Sequence, residues 1–285
     1  MCSFRILFVA AAAFLALVAR AEDPAPRVIP QELVNRQPAM IDARVRAISE
    51  RSAPGPRGFF LGFAGVGEER VFSQEIGLAE QRLGARFGLE DRSLRLVNDQ
   101  RDLEAYPLAS VAALRYALKA LGRVMDDDDV LFLALASHGW KDATIAISNA
   151  GMRPDALSAK DLAAMLAEAG IRWRVIVVSA CYAGSFIKPL ADDHTILISA
   201  AAKNRPSFGC GADSELTYFG EAFYRDALPD APTLREAFEA ARLDIAAREK
   251  AEGERASNPQ AWFGELMERK LDAFESARDR QGLDP

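Results

Sequence analysis

The sequence predicts an α/β fold with a mostly parallel central sheet and helices on both faces. Three observations predict it. Short strand-like segments recur at 58–64, 93–97, 130–135, 175–178 and 195–198, all but the second mainly apolar. Segments with helical spacing separate most of them, and strands alternating with helices pair in parallel through right-handed crossovers. The run at 130–135 is apolar at every position, which suits a strand buried on both faces.

Taken in order, residues 1–21 read as a secretory signal. Arg5 opens it, an apolar run follows from Ile6 to Ala19, and Ala19 and Ala21 stand at the two positions a signal peptidase inspects. The run is too short to cross a bilayer comfortably, which takes roughly 20 residues. An uncleaved anchor is the alternative, and no Cys follows the run to carry a lipid. Residues 22–57 read as a Pro-rich lead-in around one short amphipathic helix at 39–52. The core pattern begins at Gly58, so 58–285 is expected to form one domain.

The strand at 58–64 ends in Gly65 and Gly67, a loop. Ile76, Ala79, Leu83 and Phe87 give 73–87 its helical spacing. Asn98 and Asp99 end the strand at 93–97. A helix at 110–125 leads to the strand at 130–135. A short strand at 144–148 and a helix at 158–169 precede the strands at 175–178 and 195–198. Helices at 218–228, 233–252 and 261–277 complete the chain.

Composition narrows the chemistry. Of 285 residues, 50% are hydrophobic and 27% charged, the balance of a soluble globular protein. The formal charge of −6, with no basic stripe, argues against nucleic acid as a partner. Two His and three Cys, scattered singly, do not make a zinc site. The expectation is no metal and no organic cofactor.

In sheets of this kind catalytic groups gather beyond the carboxyl ends of the strands. Ser137, His138 and Gly139 directly follow 130–135; Ser179, Ala180, Cys181, Tyr182, Ala183 and Gly184 directly follow 175–178. If these strands are neighbours, His138 and Cys181 emerge side by side. A thiolate is an able nucleophile, and a nearby imidazole both activates it and protonates the leaving amine. Gly139 permits close backbone approach, so its N–H and that of Cys181 could form an oxyanion hole. Each residue alone has a plainer reading, as a small core Cys or a structural His. The pairing at equivalent strand ends is harder to reach by accident. Asp126 to Asp129 and His194 precede strands, so they fall at the opposite edge. A solvated turn is expected for the four carboxylates, and a surface position for His194.

His138 and Gly139 after one apolar strand, with Cys181 after the next long one, resemble the caspase-like clan of cysteine peptidases. The closer resemblance is to the legumain family, especially its bacterial exported members. Ser207 to Asp213, Thr217 to Gly220 and Ser257 to Gln260 add to it, over about 58–265. The resemblance implies a caspase-like α/β fold, with His138 as general base and Cys181 as nucleophile. It makes Asp213 an acidic residue lining the pocket for the residue before the scissile bond. Two departures stand out. Ser179 occupies the place, two before the nucleophile, where legumain has an acidic residue of the substrate site. Val66 and Val71 align with an Asn and an Arg of the family, and Arg70 lies one place off. With that third member missing, a backbone carbonyl is expected to orient His138. Cys210 falls near the implied pocket, as a buried thiol or as a reversible partner of Cys181 in an oxidising compartment.

The implied activity is endopeptidase cleavage of a peptide or protein substrate through a Cys-His dyad and an acyl-enzyme. A transamidase of the same family is one alternative, and a non-catalytic envelope interaction protein another. A dinucleotide-binding domain is disfavoured because Arg70 stands where the fingerprint after Gly65 and Gly67 needs a third glycine. Export to the periplasm or medium is expected, with no membrane span after signal cleavage; the oligomeric state is left open.

Overall fold

The structure, a computed structural model, describes residues 28–50, 55–101, 103–211 and 214–280. The segment read as a signal lies outside the described residues. In chain order the elements are α1 (Gln31–Ser49), β1 (Gly58–Ala64), α2 (Arg70–Phe87), β2 (Ser93–Val97), α3 (Val111–Gly122), β3 (Val130–Ala136), β4 (Gly139–Trp140), β5 (Thr144–Ile147), β6 (Asp155–Ser158) and α4 (Ala159–Glu168). Then come β7 (Trp173–Ser179), α5 (Ile187–Leu190), β8 (Thr195–Ser199), α6 (Tyr218–Gly220), α7 (Leu234–Glu252), β9 (Gln260–Phe263) and α8 (Glu265–Arg280). A π-helical turn, Glu221–Ala227, continues α6.

Six strands form the main sheet in the order β2-β1-β3-β7-β8-β9, parallel throughout except for β9. The five parallel strands therefore end along one edge. Because side chains alternate across a strand, each strand feeds two cores. Phe60, Phe132, Val177 and Ile198 point to the face covered by α2, the π-helical turn, α7 and α8. Phe59, Leu133, Ile176 and Leu197 point to the face covered by α1, α3, α4 and α5. This is the caspase-like α/β arrangement that the sequence predicts.

Four local expectations change. The lead-in helix spans Gln31–Ser49 with Pro38 inside, rather than 39–52, and it buries Ile41, Val45 and Ile48 in the second core. The core pattern thus starts before Gly58; with Val34, Asn35 and Arg36 exposed around Leu33, its first turns are too polar to show it. The helix expected at 261–277 begins at Glu265, because 260–263 pairs antiparallel with β8. Four residues are too few for a period of two to register. The strand read at 144–148 belongs to a small antiparallel sheet, β4-β5-β6. Finally, Asp129 is not solvated like its three neighbours. It accepts from the Arg57 N–H (2.7 Å), the Arg57 guanidinium (2.6 Å) and the Asp126 N–H (2.7 Å).

Candidate active site

β3 and β7 are neighbours in register, with Ala136 beside Ser179, so the chain leaves both strands at the same level. Ser137 N–H donates to the Ser179 carbonyl at 3.1 Å and carries the pairing one residue further. His138 and Cys181 follow and line one tight cleft with Phe72, Ser137, Ser179, Ala180, Ser207, Cys210 and Thr217. No direct hydrogen bond joins thiol and imidazole among the described residues. The Sγ instead accepts from the Ser207 N–H at 3.2 Å. The Phe72 and His138 rings meet in a T-shaped contact, 5.0 Å between centroids.

Gly139 has a steric reason to be glycine. A Cβ there would collide with the Cys181 carbonyl oxygen, and would stand 3.1 Å from the Ala180 Cβ. The loops that follow β3 and β7 touch through that position. The His138 carbonyl accepts from the Ala146 N–H at 2.8 Å, which makes Gly139 and Ile145 a non-hydrogen-bonded pair of the antiparallel ladder. The ladder therefore leaves the Gly139 N–H unused. The Cys181 N–H has no acceptor among the described residues either. After Cys181 the chain turns sharply: Tyr182 adopts the left-handed region (φ 59°) and leads into a single 3-10 turn, Ala183–Phe186.

Ser179 is buried, its Oγ 3.3 Å from the Thr217 Oγ. Thr217 in turn donates to Glu75 Oε2 at 2.6 Å and accepts from the Gly220 N–H at 2.9 Å, starting α6. Glu75 is wholly buried against Gly220, and its Oε1 has no partner among the described residues. Burial, partly offset by bonds from Ser179 and Thr217, pushes its carboxyl up to about 7. Cys210 is half-buried in the same cleft, and burial followed by the nearby Cys181 raises its thiol. Both cysteines are free thiols. Asp213 lies outside the described residues. His194 sits at the amino edge, its Nε2 2.7 Å from the Arg172 guanidinium, well apart from the cleft.

Sequence reasoning misses Glu69 and Glu75. Glu69 stands at the start of α2, and its Oε1 lies 3.3 Å from His138 Nε2, where a backbone carbonyl was the expectation. The same strand-end rule that marks His138 and Cys181 also covers the loop after β1, and thus Glu69. Glu75 carries no such signal, being one polar residue on the inner face of a helix.

A family model described as the Peptidase C13 family matches residues 108–269, more than half of the chain, and spans His138, Gly139, Ser179 and Cys181. No curated protein matches the chain.

Proposed function

The chain belongs to the peptidase C13 family, the legumain family of cysteine peptidases, and on that premise we propose that it is an endopeptidase working through Cys181 and His138. The observation that carries the reading is the contact between the two loops at Gly139, which sets the imidazole and the thiol in one cleft. His138 takes the proton of the Cys181 thiol, and the thiolate attacks the substrate carbonyl, forming an S–C bond as the carbonyl π bond opens. The carbonyl oxygen becomes an oxyanion facing the free N–H groups of Gly139 and Cys181. As the C–N bond breaks, His138 delivers the proton to the leaving amine. Water then attacks the thioester, gives a proton to His138, and releases the acid product and the thiol.

Asp213 and Ser179 are assigned to the side-chain pocket for the residue before the cut. Export by cleavage after Ala21 belongs to the same reading, as expected for a bacterial exported member.

The test is hydrolysis of a mixed fluorogenic peptide library by the purified chain under reducing conditions, beside Cys181→Ser and His138→Ala. Cleavage by the parent alone supports the dyad. Equal activity in all three, with folds intact by circular dichroism, sinks it.

A further inference from the structure

Helix α2 starts on Glu69, and this start breaks a local rule. The residue before the first helical turn ordinarily turns a short polar side chain back onto the helix's free N–H groups. Glu69 makes no such bond. Its carboxylate instead reaches across to His138, with Oε1 3.3 Å from Nε2, while Oε2 is buried with no partner among the described residues. Its ion-pair contact among those residues is His138. A helix cap forgone and a carboxylate oxygen left unsatisfied both cost stability locally, the pattern expected where function overrides local stability.

The loop that delivers Glu69 is held rigidly. Gly65 and Gly67 let it lie flat on the β5 exit: Ser148 N–H donates to the Gly65 carbonyl at 2.9 Å, and Gly67 N–H donates to the Ser148 carbonyl at 3.1 Å. A Cβ at Gly67 would stand 2.7 Å from the Asn149 side chain. Asn98 closes the other side by donating to the Gly65 and Ala109 carbonyls. Phe72, one helical turn after Glu69, packs its ring against the imidazole. The carboxylate and the ring that flank His138 thus come from one helix start.

We propose that Glu69 is the positioning residue of His138, taking the place of the backbone carbonyl that the sequence led us to expect. This rests on the dyad reading above. A carboxylate oxygen accepts rather than donates, so across this contact Nε2 carries the hydrogen and donates it. That assignment has a chemical consequence. It holds the imidazole in the Nε2–H tautomer and leaves Nδ1 as the nitrogen that exchanges a proton with the thiol and the leaving amine. It also offers negative charge to the imidazolium that forms when Cys181 loses its proton, the role a carboxylate plays behind a catalytic histidine in general.

Two measurements on the full chain test it. With a fluorogenic peptide that the parent cleaves, Glu69→Gln is expected to lower kcat about tenfold and Glu69→Ala about a hundredfold, with KM within about twofold of the parent. Gln still accepts a hydrogen bond but carries no charge, so the gap between the variants separates orientation from electrostatics. Proton–nitrogen NMR of the Cys181→Ala protein supplies a readout that a purely structural role does not move. A low-field proton on His138 Nε2 is expected there, lost when Glu69→Ala is added. The chain's other histidine, His194, is identified by His194→Gln. Parent-like kcat in Glu69→Ala, or an Nε2 proton unchanged by it, overturns the assignment. A parent without activity, or one whose activity survives Cys181→Ser, overturns the dyad reading itself and this inference with it.

Discussion

At the amino edge of the sheet, buried Asp129 is surrounded by donors: the Arg57 guanidinium, the Arg57 N–H and the Asp126 N–H. At the carboxyl edge, buried Glu75 has the Thr217 hydroxyl on one oxygen and nothing on the other among the described residues. Glu69, nearby, also keeps one oxygen unpartnered. The same chemical group is therefore fully paired where the fold is anchored and left under-satisfied where the cleft opens. Unlike Glu69, Glu75 is wholly removed from water, and that burial, only partly offset by the Ser179 and Thr217 hydroxyls, pushes its carboxyl up to about 7. The unpartnered oxygens of Glu69 and Glu75 and the left-handed Tyr182 all lie at this edge, as expected where geometry serves chemistry rather than stability.

Cys181→Ala breaks the comparison most directly. Peptide hydrolysis should fall by about a thousandfold or more, while the melting temperature changes little, because the thiol's bonds are two long ones to the Ser207 backbone. Parent-like activity would mean that the carboxyl edge is not the reactive one. Asp129→Ala should do the reverse. Removing the buried partner leaves the Arg57 guanidinium with only the exposed Asp126 carboxylate and the Val124 carbonyl, so urea denaturation should show a loss of about 3 kcal/mol, with kcat per folded molecule unchanged.

Glu75→Gln sharpens the contrast through pH. The ordinary carboxyl value is 4.5, and the folded value is about 7. Between the two the native chain holds a proton that the unfolded chain has lost, so stability is greatest below about 4.5 and declines as pH rises through 7. Gln does not titrate. Its stability relative to the parent should therefore climb by about 3 kcal/mol from pH 4.5 to 8 in urea midpoints, whereas a flat difference would place the Glu75 carboxyl at an ordinary value. The smallest effect concerns neither edge. Ile41→Val on α1 should cost about 1 kcal/mol if the helix is core, and nothing measurable if it is a loose tether.

Much of this architecture was legible in the residues. The buried strands show as apolar runs because parallel strands covered on both faces have no polar side to reveal. His138 and Cys181 were legible because strand ends define where chemistry collects, and each sits two residues past a strand. The β9 edge strand was hidden by its four-residue length, and the opening turns of α1 by their polarity. Arg57 and Asp129 meet across 72 positions, and no local pattern announces such a partnership.

By itself the sequence determined the layered α/β plan and the two side chains at adjacent strand ends, since periodicity and residue chemistry are local properties. Only the tertiary structure decided what stands behind them. Glu69 reaches His138 across 69 positions, and Thr217 reaches Glu75 across 142. Whether a carboxylate ends up paired, orphaned or aimed at an imidazole depends on what the folded chain brings within about 3 Å of it, a distance that sequence separation does not constrain.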